Sequence, residues 1–258
     1  MLKVRIIPTL LWKGPGLVKG VGFDSWRRVG TILPAVKVYN MREVDELVVM
    51  DITATAENRE PDLAAVAEFS HECFVPLTIG GGIRRIEDIK GLLRSGADKV
   101  SLNSVTYVNP DLISQAADFF GSQCVVVSID ARKESDGTHR CYAACGSLPT
   151  GREVSEWAAE VEQRGAGELL VTSIERDGTM EGYDLNLISK VSDAVSIPVI
   201  ASGGAGDYHH FYEALTIGKA QAVAAASLYH FTERTPLEAK MYLKSKGIMV
   251  RNANRACS

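Results

Sequence analysis

Two glycine-rich segments of this 258-residue chain have the composition of phosphate-binding turns. Gly81 and Gly82 follow the apolar run VPLTIG, and Gly203 and Gly204 follow the apolar run IPVIAS. Glycine has no Cβ, so backbone N–H groups can approach a ligand closely, and N–H groups at the start of a helix favour an anion. A glycine pair after a strand is also an ordinary turn, so either segment alone would be weak support for a phosphate site.

Polar residues after two later apolar runs complete both segments. Asn103 and Ser104 follow ADKVSL, and Ser227 follows QAVAAA. Two such groups at matching places in the chain predict two phosphate cradles and a phosphate-bearing small molecule as ligand. Purely structural turns are the alternative. The first cradle comprises Gly81, Gly82, Asn103 and Ser104, and the second cradle comprises Gly203, Gly204 and Ser227.

The cradles must be positioned by eight short apolar runs that recur along the chain, with helix-period segments between most of them. Apolar strands alternating with amphipathic helices are typical of a parallel sheet covered by helices. Eight such units in about 250 residues favour an α/β fold with one closed (β/α)8 TIM barrel domain over residues 1–258. A six- or seven-stranded open sheet is the alternative. The matching glycine pairs also predict a half-barrel internal repeat, with both cradles at one mouth.

Composition narrows the classes of partner. The net charge of -4 gives no basic footprint for nucleic acid or for a membrane surface. No apolar run reaches the roughly 18 residues that a membrane span needs. The first residues lack the small-residue cleavage site of a signal peptide. We therefore expect a cytoplasmic protein.

The cysteines do not have the spacing of a metal site or of a disulfide framework. We expect reduced thiols, no metal and no cofactor. A metal pair formed by Cys141 and Cys145 is the alternative, but no second pair and no nearby histidine supports it. The five cysteines are Cys73, Cys124, Cys141, Cys145 and Cys257.

Several longer segments closely resemble the cyclase subunit of imidazole glycerol phosphate synthase, the HisF family. They include GGGI at Gly80, GADKVSLN at Gly96, GSQCVVVSIDA at Gly121 and ASGGAG at Ala201, and the resemblance extends over nearly the whole chain. It implies a barrel that receives ammonia from a HisH-like glutaminase subunit docked at its N-terminal face. In that family the ammonia cleaves a bis-phosphorylated aminoimidazole ribonucleotide of histidine biosynthesis. Two cradles suit a ligand with a phosphate at each end.

The resemblance also assigns residues at the catalytic mouth, where the family uses two aspartates as general acid and base. It implies that Asp130 is the fifth-strand aspartate, that Asp177 contacts substrate or serves as an auxiliary acid, and that Lys19 lies in a substrate loop. A turn-forming Asp-Gly pair is the alternative for Asp177. Leu11 stands where the family has its first-strand aspartate. Leucine cannot transfer a proton, and losing one positioned acid or base costs ~10² to 10⁴ in rate.

At the opposite end, the family gates its ammonia tunnel with four charged residues at the strand starts. Here these are Arg5, Glu46, Lys99 and Glu168. Because strand side chains alternate between faces, Arg5, Lys99 and Glu168 are expected to point into the barrel. Asp51 does not share the parity of Glu46, so both side chains could face the barrel interior only if a bulge lay between them. Structural salt bridges are the alternative role for the four charges.

An intact gate with a missing acid resembles the paralogue branch that works with a glutaminase and a sugar amidotransferase in surface-polysaccharide biosynthesis. We therefore predict a subunit that passes ammonia through its barrel. One alternative is a working cyclase, a lyase of histidine biosynthesis. Another is a phosphate-sugar isomerase of the same fold that uses Asp130 and Asp177.

Overall fold

The computed structural model describes residues 3–251, so Cys257 and the two ends of the predicted domain 1–258 lie outside the described residues. That the whole of 1–258 is one domain stays a prediction. The strands of the described chain are β1 (Arg5–Lys13), β2 (Gly16–Val21), β3 (Asp24–Gly30), β4 (Leu47–Asp51), β5 (Leu77–Gly80), β6 (Lys99–Leu102), β7 (Val125–Lys133), β8 (His139–Ala143), β9 (Leu148–Glu153), β10 (Glu168–Ser173), β11 (Val199–Ser202) and β12 (Ala222–Ala225).

Helices follow most barrel strands and cover the sheet. They are α1 (Ile32–Met41), α2 (Leu63–Ser70), α3 (Ile86–Arg94), α4 (Ser104–Val108), α5 (Asp111–Phe120), α6 (Val154–Gln163), α7 (Leu185–Ala194), α8 (Tyr208–Thr216), α9 (Ser227–Phe231) and α10 (Pro236–Ser245). No helix within residues 3–251 has the length and apolarity that a membrane crossing requires.

Eight parallel strands close into a barrel in the order β1, β4, β5, β6, β7, β10, β11 and β12. The barrel closes where its last strand, β12, pairs with its first strand, β1. Inserted strands separate β1 from β4 and β7 from β10 along the chain, yet both of these pairs are hydrogen-bonded neighbours in the barrel. Each barrel strand is buried on both faces, which explains why these segments are apolar at nearly every position. The predicted (β/α)8 barrel is therefore confirmed.

Alternate side chains of each strand divide the core into two layers. Ile7, Val48, Val126 and Leu170 fill the barrel interior with small partners from β12. The intervening positions, such as Ile6, point outwards and pack against the helices in a much larger cluster. The interior layer separates the two ends of the barrel.

Two antiparallel hairpins extend the barrel at its carboxyl-terminal mouth. The first consists of β2 and β3 and follows β1, and the second consists of β8 and β9 and follows β7. Five-residue helices, α4 and α9, follow β6 and β12. Both halves of the chain thus share one plan, as the predicted half-barrel repeat requires.

The expected bulge in the strand of Glu46 and Asp51 is absent. The register of β4 against β1 and β5 is regular, so Val48 and Met50 face the interior while Asp51 faces away from it. Asp51 Oδ1 accepts hydrogen bonds from the backbone N–H of Thr53 at 3.0 Å and of Ala54 at 3.1 Å. The expectation of a bulge was wrong because Asp51 stabilises the loop after β4 and does not belong to the interior face.

Candidate functional site

A cavity of about 540 Å³ opens at the carboxyl ends of the barrel strands, where the active sites of this fold lie. Both predicted cradles line it on opposite sides of the mouth. The lining includes Gly81, Gly82, Asn103, Ser104, Gly203, Gly204 and Ser227, together with Lys19, Asp130 and Asp177. The structure thus brings the predicted ligand residues and carboxylates into one cavity.

Close backbone contacts leave no room for a Cβ at two of the cradle glycines. Gly81 has φ 106° and Gly204 has φ 107°, and a Cβ on either would lie 2.2 Å from a backbone carbonyl oxygen, that of Asp51 or of Gly182. Ser227 is buried, and its Oγ has no hydrogen-bond partner within the described part of the chain. Ser104 Oγ accepts from the backbone N–H of Ala144 at 2.9 Å. That the cradles bind phosphate stays a prediction.

Asp130 lies near the end of β7, where its carboxylate faces the cavity. Asn103 Nδ2 donates to Asp130 Oδ2 at 2.9 Å. Burial and the negative charge of Asp177 together raise the pKa of Asp130 to about 7, and the hydrogen bonds from Asn103 and Ser128 oppose both effects. A carboxyl group with a pKa near neutrality can either donate or accept a proton at physiological pH.

Asp177 is paired with Lys19, which reaches into the mouth from β2. Lys19 Nζ lies 2.6 Å from Asp177 Oδ2, and only 1% of the Lys19 side chain is exposed. Burial raises the pKa of Asp177, while the charge and hydrogen bond of Lys19 lower it. The Asp177 carboxylate therefore contacts a cation at the cavity and does more than form a turn with Gly178.

Leu11 lines the same cavity, on β1. Leu11 is paired with Met50 in the sheet, and Asp130 is paired with Thr172, so Leu11 and Asp130 occupy equivalent places in the two half-barrels. Trp12 points to the other face and packs edge-on against Phe69, with ring centroids 6.1 Å apart. Trp12 therefore does not fill the space beside Leu11.

No carboxylate replaces the missing first-strand acid among the described residues that line the cavity. The acidic residues there are Asp51, Asp130 and Asp177. Asp51 Oδ2 is paired with Arg59 Nη1 at 2.9 Å and belongs to the loop after β4. The mouth therefore has one unpaired carboxylate, Asp130, and one that is paired with Lys19.

The four charged residues at the amino end of the barrel form a closed ring. Arg5 Nη1 lies 2.7 Å from Glu46 Oε2 and 3.0 Å from Glu168 Oε1. Lys99 Nζ lies 3.0 Å from Glu46 Oε1 and 3.1 Å from Glu168 Oε2. Each cation thus bridges both carboxylates, and the four side chains are largely buried. The charge ring, as we call these four residues, closes the end of the barrel opposite the cavity.

The cysteines of the described residues differ in burial and in location. Cys141 is buried, Cys145 lines the cavity, and all four cysteines in the described ranges are free thiols. Burial raises the pKa of Cys145 to about 11. Within residues 3–251, no cluster of three or more histidine, cysteine, aspartate or glutamate residues could hold a metal ion.

Three residues beside the first cradle were missed by the sequence analysis. Asn58, Arg59 and Arg84 also line the cavity. A signal for Arg84 was present in the sequence, because two arginines directly follow the GGGI segment. Asn58 and Arg59 lie on the loop after β4, and no local pattern connects that loop with the first cradle.

The fold and the site define a (β/α)8 barrel with a ligand cavity at one mouth and a charge ring at the other. Comparison with known proteins agrees: the model of the histidine biosynthesis protein family matches residues 5–235. The chain is 47% identical over 251 residues to the imidazole glycerol phosphate synthase subunit HisF of Chlorobium limicola, an overlap that covers 97% of this chain and all of that relative. The chain belongs to the HisF family.

Proposed function

We propose that this chain is the barrel subunit of a glutamine amidotransferase complex. It receives ammonia from a HisH-like glutaminase at its amino-terminal face and passes it through the barrel, for amidation of a sugar in surface-polysaccharide biosynthesis. The contrast between the two ends of the barrel carries the proposal. The charge ring is complete, whereas Leu11 stands opposite Asp130 where cyclase chemistry needs a second carboxylate.

The amino-terminal face has the exposed apolar side chains that a docked subunit would cover. Phe74, in the loop before β5, is 81% exposed, and Phe119, near the end of α5, is 74% exposed. Met41 at the end of α1 is also exposed. Interfaces between subunits combine such an apolar centre with a polar rim. These residues support this face as the docking surface for the glutaminase.

Hydroxyl groups inside the barrel support a path from the charge ring towards the cavity. Thr78 Oγ1 donates to Glu46 Oε1 at 2.9 Å, which places it directly above the ring. Ser101 Oγ is buried and has no hydrogen-bond partner within residues 3–251. Ammonia both donates and accepts hydrogen bonds, so such hydroxyls would stabilise it in an otherwise apolar interior.

A working cyclase of histidine biosynthesis is the second candidate function. The pKa of Asp130, about 7, favours it, because this value suits a general acid or base. It would need a second proton donor that the described lining does not supply. A phosphate-sugar isomerase would instead use Asp130 with Asp177 and would need no glutaminase, so it predicts no association between the two subunits.

The conduit is tested by replacing one cation of the charge ring. In Lys99→Met the carboxylates of Glu46 and Glu168 keep only Arg5 as a cationic partner. The ring therefore opens, and we expect ammonia to escape to solvent. We expect the ratio of glutamate formed to acceptor amidated to rise at least roughly threefold, measured with glutaminase and sugar amidotransferase present.

Lys240→Met is the matched control, because Lys240 is another buried lysine near this end, paired with Asp45 at 2.8 Å outside the ring. Both variants lose a buried ion pair and hence stability, but only Lys99→Met should uncouple the two reactions. Equal ratios in wild type and Lys99→Met, or no association of a glutaminase at micromolar concentration, would contradict the proposal.

A further inference from the structure

Arg84 is held at the rim of the cavity by neutral partners. It follows Gly82 by two residues and lines the same cavity. Its backbone N–H donates to Asp88 Oδ2 at 2.8 Å, and Asp88 is buried, so the backbone that carries Arg84 is fixed. Its Nη1 donates to Asn58 Oδ1 at 2.5 Å, and Asn58 has a left-handed backbone with φ 49°.

Arg84 differs from the neighbouring arginines because no carboxylate of the described residues neutralises its charge. Arg59 is paired with Asp51 and Glu57 at 2.9 and 3.0 Å. Arg85 is paired with Glu60 at 2.6 Å and with Asp88 at 3.3 Å. Within the described part of the chain, the side chain of Arg84 bonds only to oxygens of Asn58, which carry no charge. Its full positive charge and its remaining N–H groups are therefore available to an anion.

The second cradle has no equivalent cation among the described residues that line the cavity. Lys19, at the mouth, is matched by Asp177 at 2.6 Å. Arg176, whose Cβ lies close to Gly204, has Glu181 at 3.6 Å. The two cradles thus share a backbone plan but differ in net charge, and that difference makes the two sides of the cavity inequivalent.

We propose that Arg84 is a phosphate-binding residue that makes the first cradle the stronger anion site and selects a dianionic phosphomonoester there. A guanidinium group presents paired N–H donors that match phosphate oxygens, and its bonds to an anion are charge-assisted. Asn58 holds the group beside the cradle without neutralising it. The proposal rests on the phosphate-bearing ligand predicted for the two cradles and adds that the two ends of such a ligand are distinguished.

The test measures binding of methyl phosphate and dimethyl phosphate to the isolated barrel at pH 8 by calorimetry. These probes separate a dianionic monoester from a monoanionic diester. Loss of a charged hydrogen bond predicts that Arg84→Gln weakens the tighter site for methyl phosphate roughly 10- to 100-fold. The preference for the monoester should decrease together with that affinity. The affinity of Arg84→Lys, which keeps the charge but not the paired N–H donors, should lie between those of the wild type and Arg84→Gln.

Arg85→Gln is the matched control, since this neighbouring arginine already has carboxylate partners, and Ser227→Ala reports on the second cradle. We expect Arg85→Gln to bind as the wild type does and Ser227→Ala to weaken only the other site. Equal affinities in Arg84→Gln and Arg85→Gln would overturn the proposal. No binding of methyl phosphate to wild-type protein would overturn both the cradles and the role of Arg84. Neither result depends on a glutaminase, so failure here is distinct from failure of the ammonia conduit.

Discussion

Asp130 and Leu11 occupy equivalent places on two halves of one barrel but have opposite chemical capacities. Asp130 is half-buried near Asp177, and its pKa rises to about 7 because the charged form is poorly solvated there. Leu11 contributes only apolar surface to the same mouth. A carboxylate in such a position is costly to the fold and is retained where its protonation is useful.

The raised pKa of Asp130 predicts the pH dependence of stability. Its pKa of about 7 in the folded state exceeds the ordinary 3.8, so the folded protein favours the protonated carboxyl group. The stability that this protonation contributes is fully present below pH 3.8 and is lost as pH rises through about 7. Asn mimics the protonated carboxyl group. We therefore expect Asp130→Asn to melt at least about 2 °C above the wild type at pH 8 and at the same temperature at pH 4.

Thermal denaturation at the two pH values checks this prediction, with Asp136→Asn as its control. Asp136 is exposed, and its hydrogen bonds with Thr138 lower its pKa, so its removal should give no gain at pH 8. If Asp130→Asn melts no higher than the wild type at pH 8, the carboxyl group is ionised in the folded protein without penalty, and its proposed acid–base role loses its basis.

Most residues of the site could be predicted from the sequence, because each follows an apolar strand and the carboxyl ends of parallel strands meet at one mouth. This holds for Gly81, Gly203, Asn103 and Asp130. The position of Arg84 after GGGI was visible in the sequence, but its proposed role could not be predicted, because that role depends on Asn58, which lies 26 positions earlier on a separate loop. Charge matching between loops is a tertiary property that strand patterns do not encode.

At the scale of elements, the hairpin of β2 and β3 connects the mouth of the barrel to the loop after β10. Lys19 on β2 is paired with Asp177, and the backbone N–H of Gly22 donates to the carbonyl oxygen of Asp177 at 2.8 Å. The sequence did not predict this hairpin, because β3 is largely exposed and charged and lacks an apolar alternation. Pairing with β2, which is mostly buried, makes it a strand.

The ion pair of Lys19 should control how firmly the hairpin is held. Lys19→Met leaves Asp177 without its cation in a buried place, which favours local opening. We expect amide hydrogen exchange in residues 16–30 to accelerate roughly tenfold or more, measured by mass spectrometry. Lys13→Met, at the exposed end of β1, is the control and should leave exchange unchanged. Equal exchange in the wild type and Lys19→Met would show that backbone bonds alone hold the hairpin.

In the molecule as a whole, the barrel holds two sites at its opposite ends. The charge ring closes one end, and the cavity with both cradles opens at the other. The closed fold could be predicted because eight apolar runs and a repeated half leave few other topologies. The four ring residues could be placed from the family pattern and from strand alternation. The ammonia acceptor could not be predicted in the same way, because under the proposed function the residues that recognise it would belong to another subunit.

Under the proposed function, this barrel retains the conduit of its family but lacks one acid of the cyclase. The decisive measurement is steady-state cyclase turnover of the purified chain, with ammonium salt as nitrogen source and the bis-phosphorylated aminoimidazole ribonucleotide as substrate. We expect turnover at least ~10²-fold below that of a HisF protein with both aspartates, and a gain in Leu11→Asp. Turnover of the unmodified chain equal to that of such a relative would contradict it.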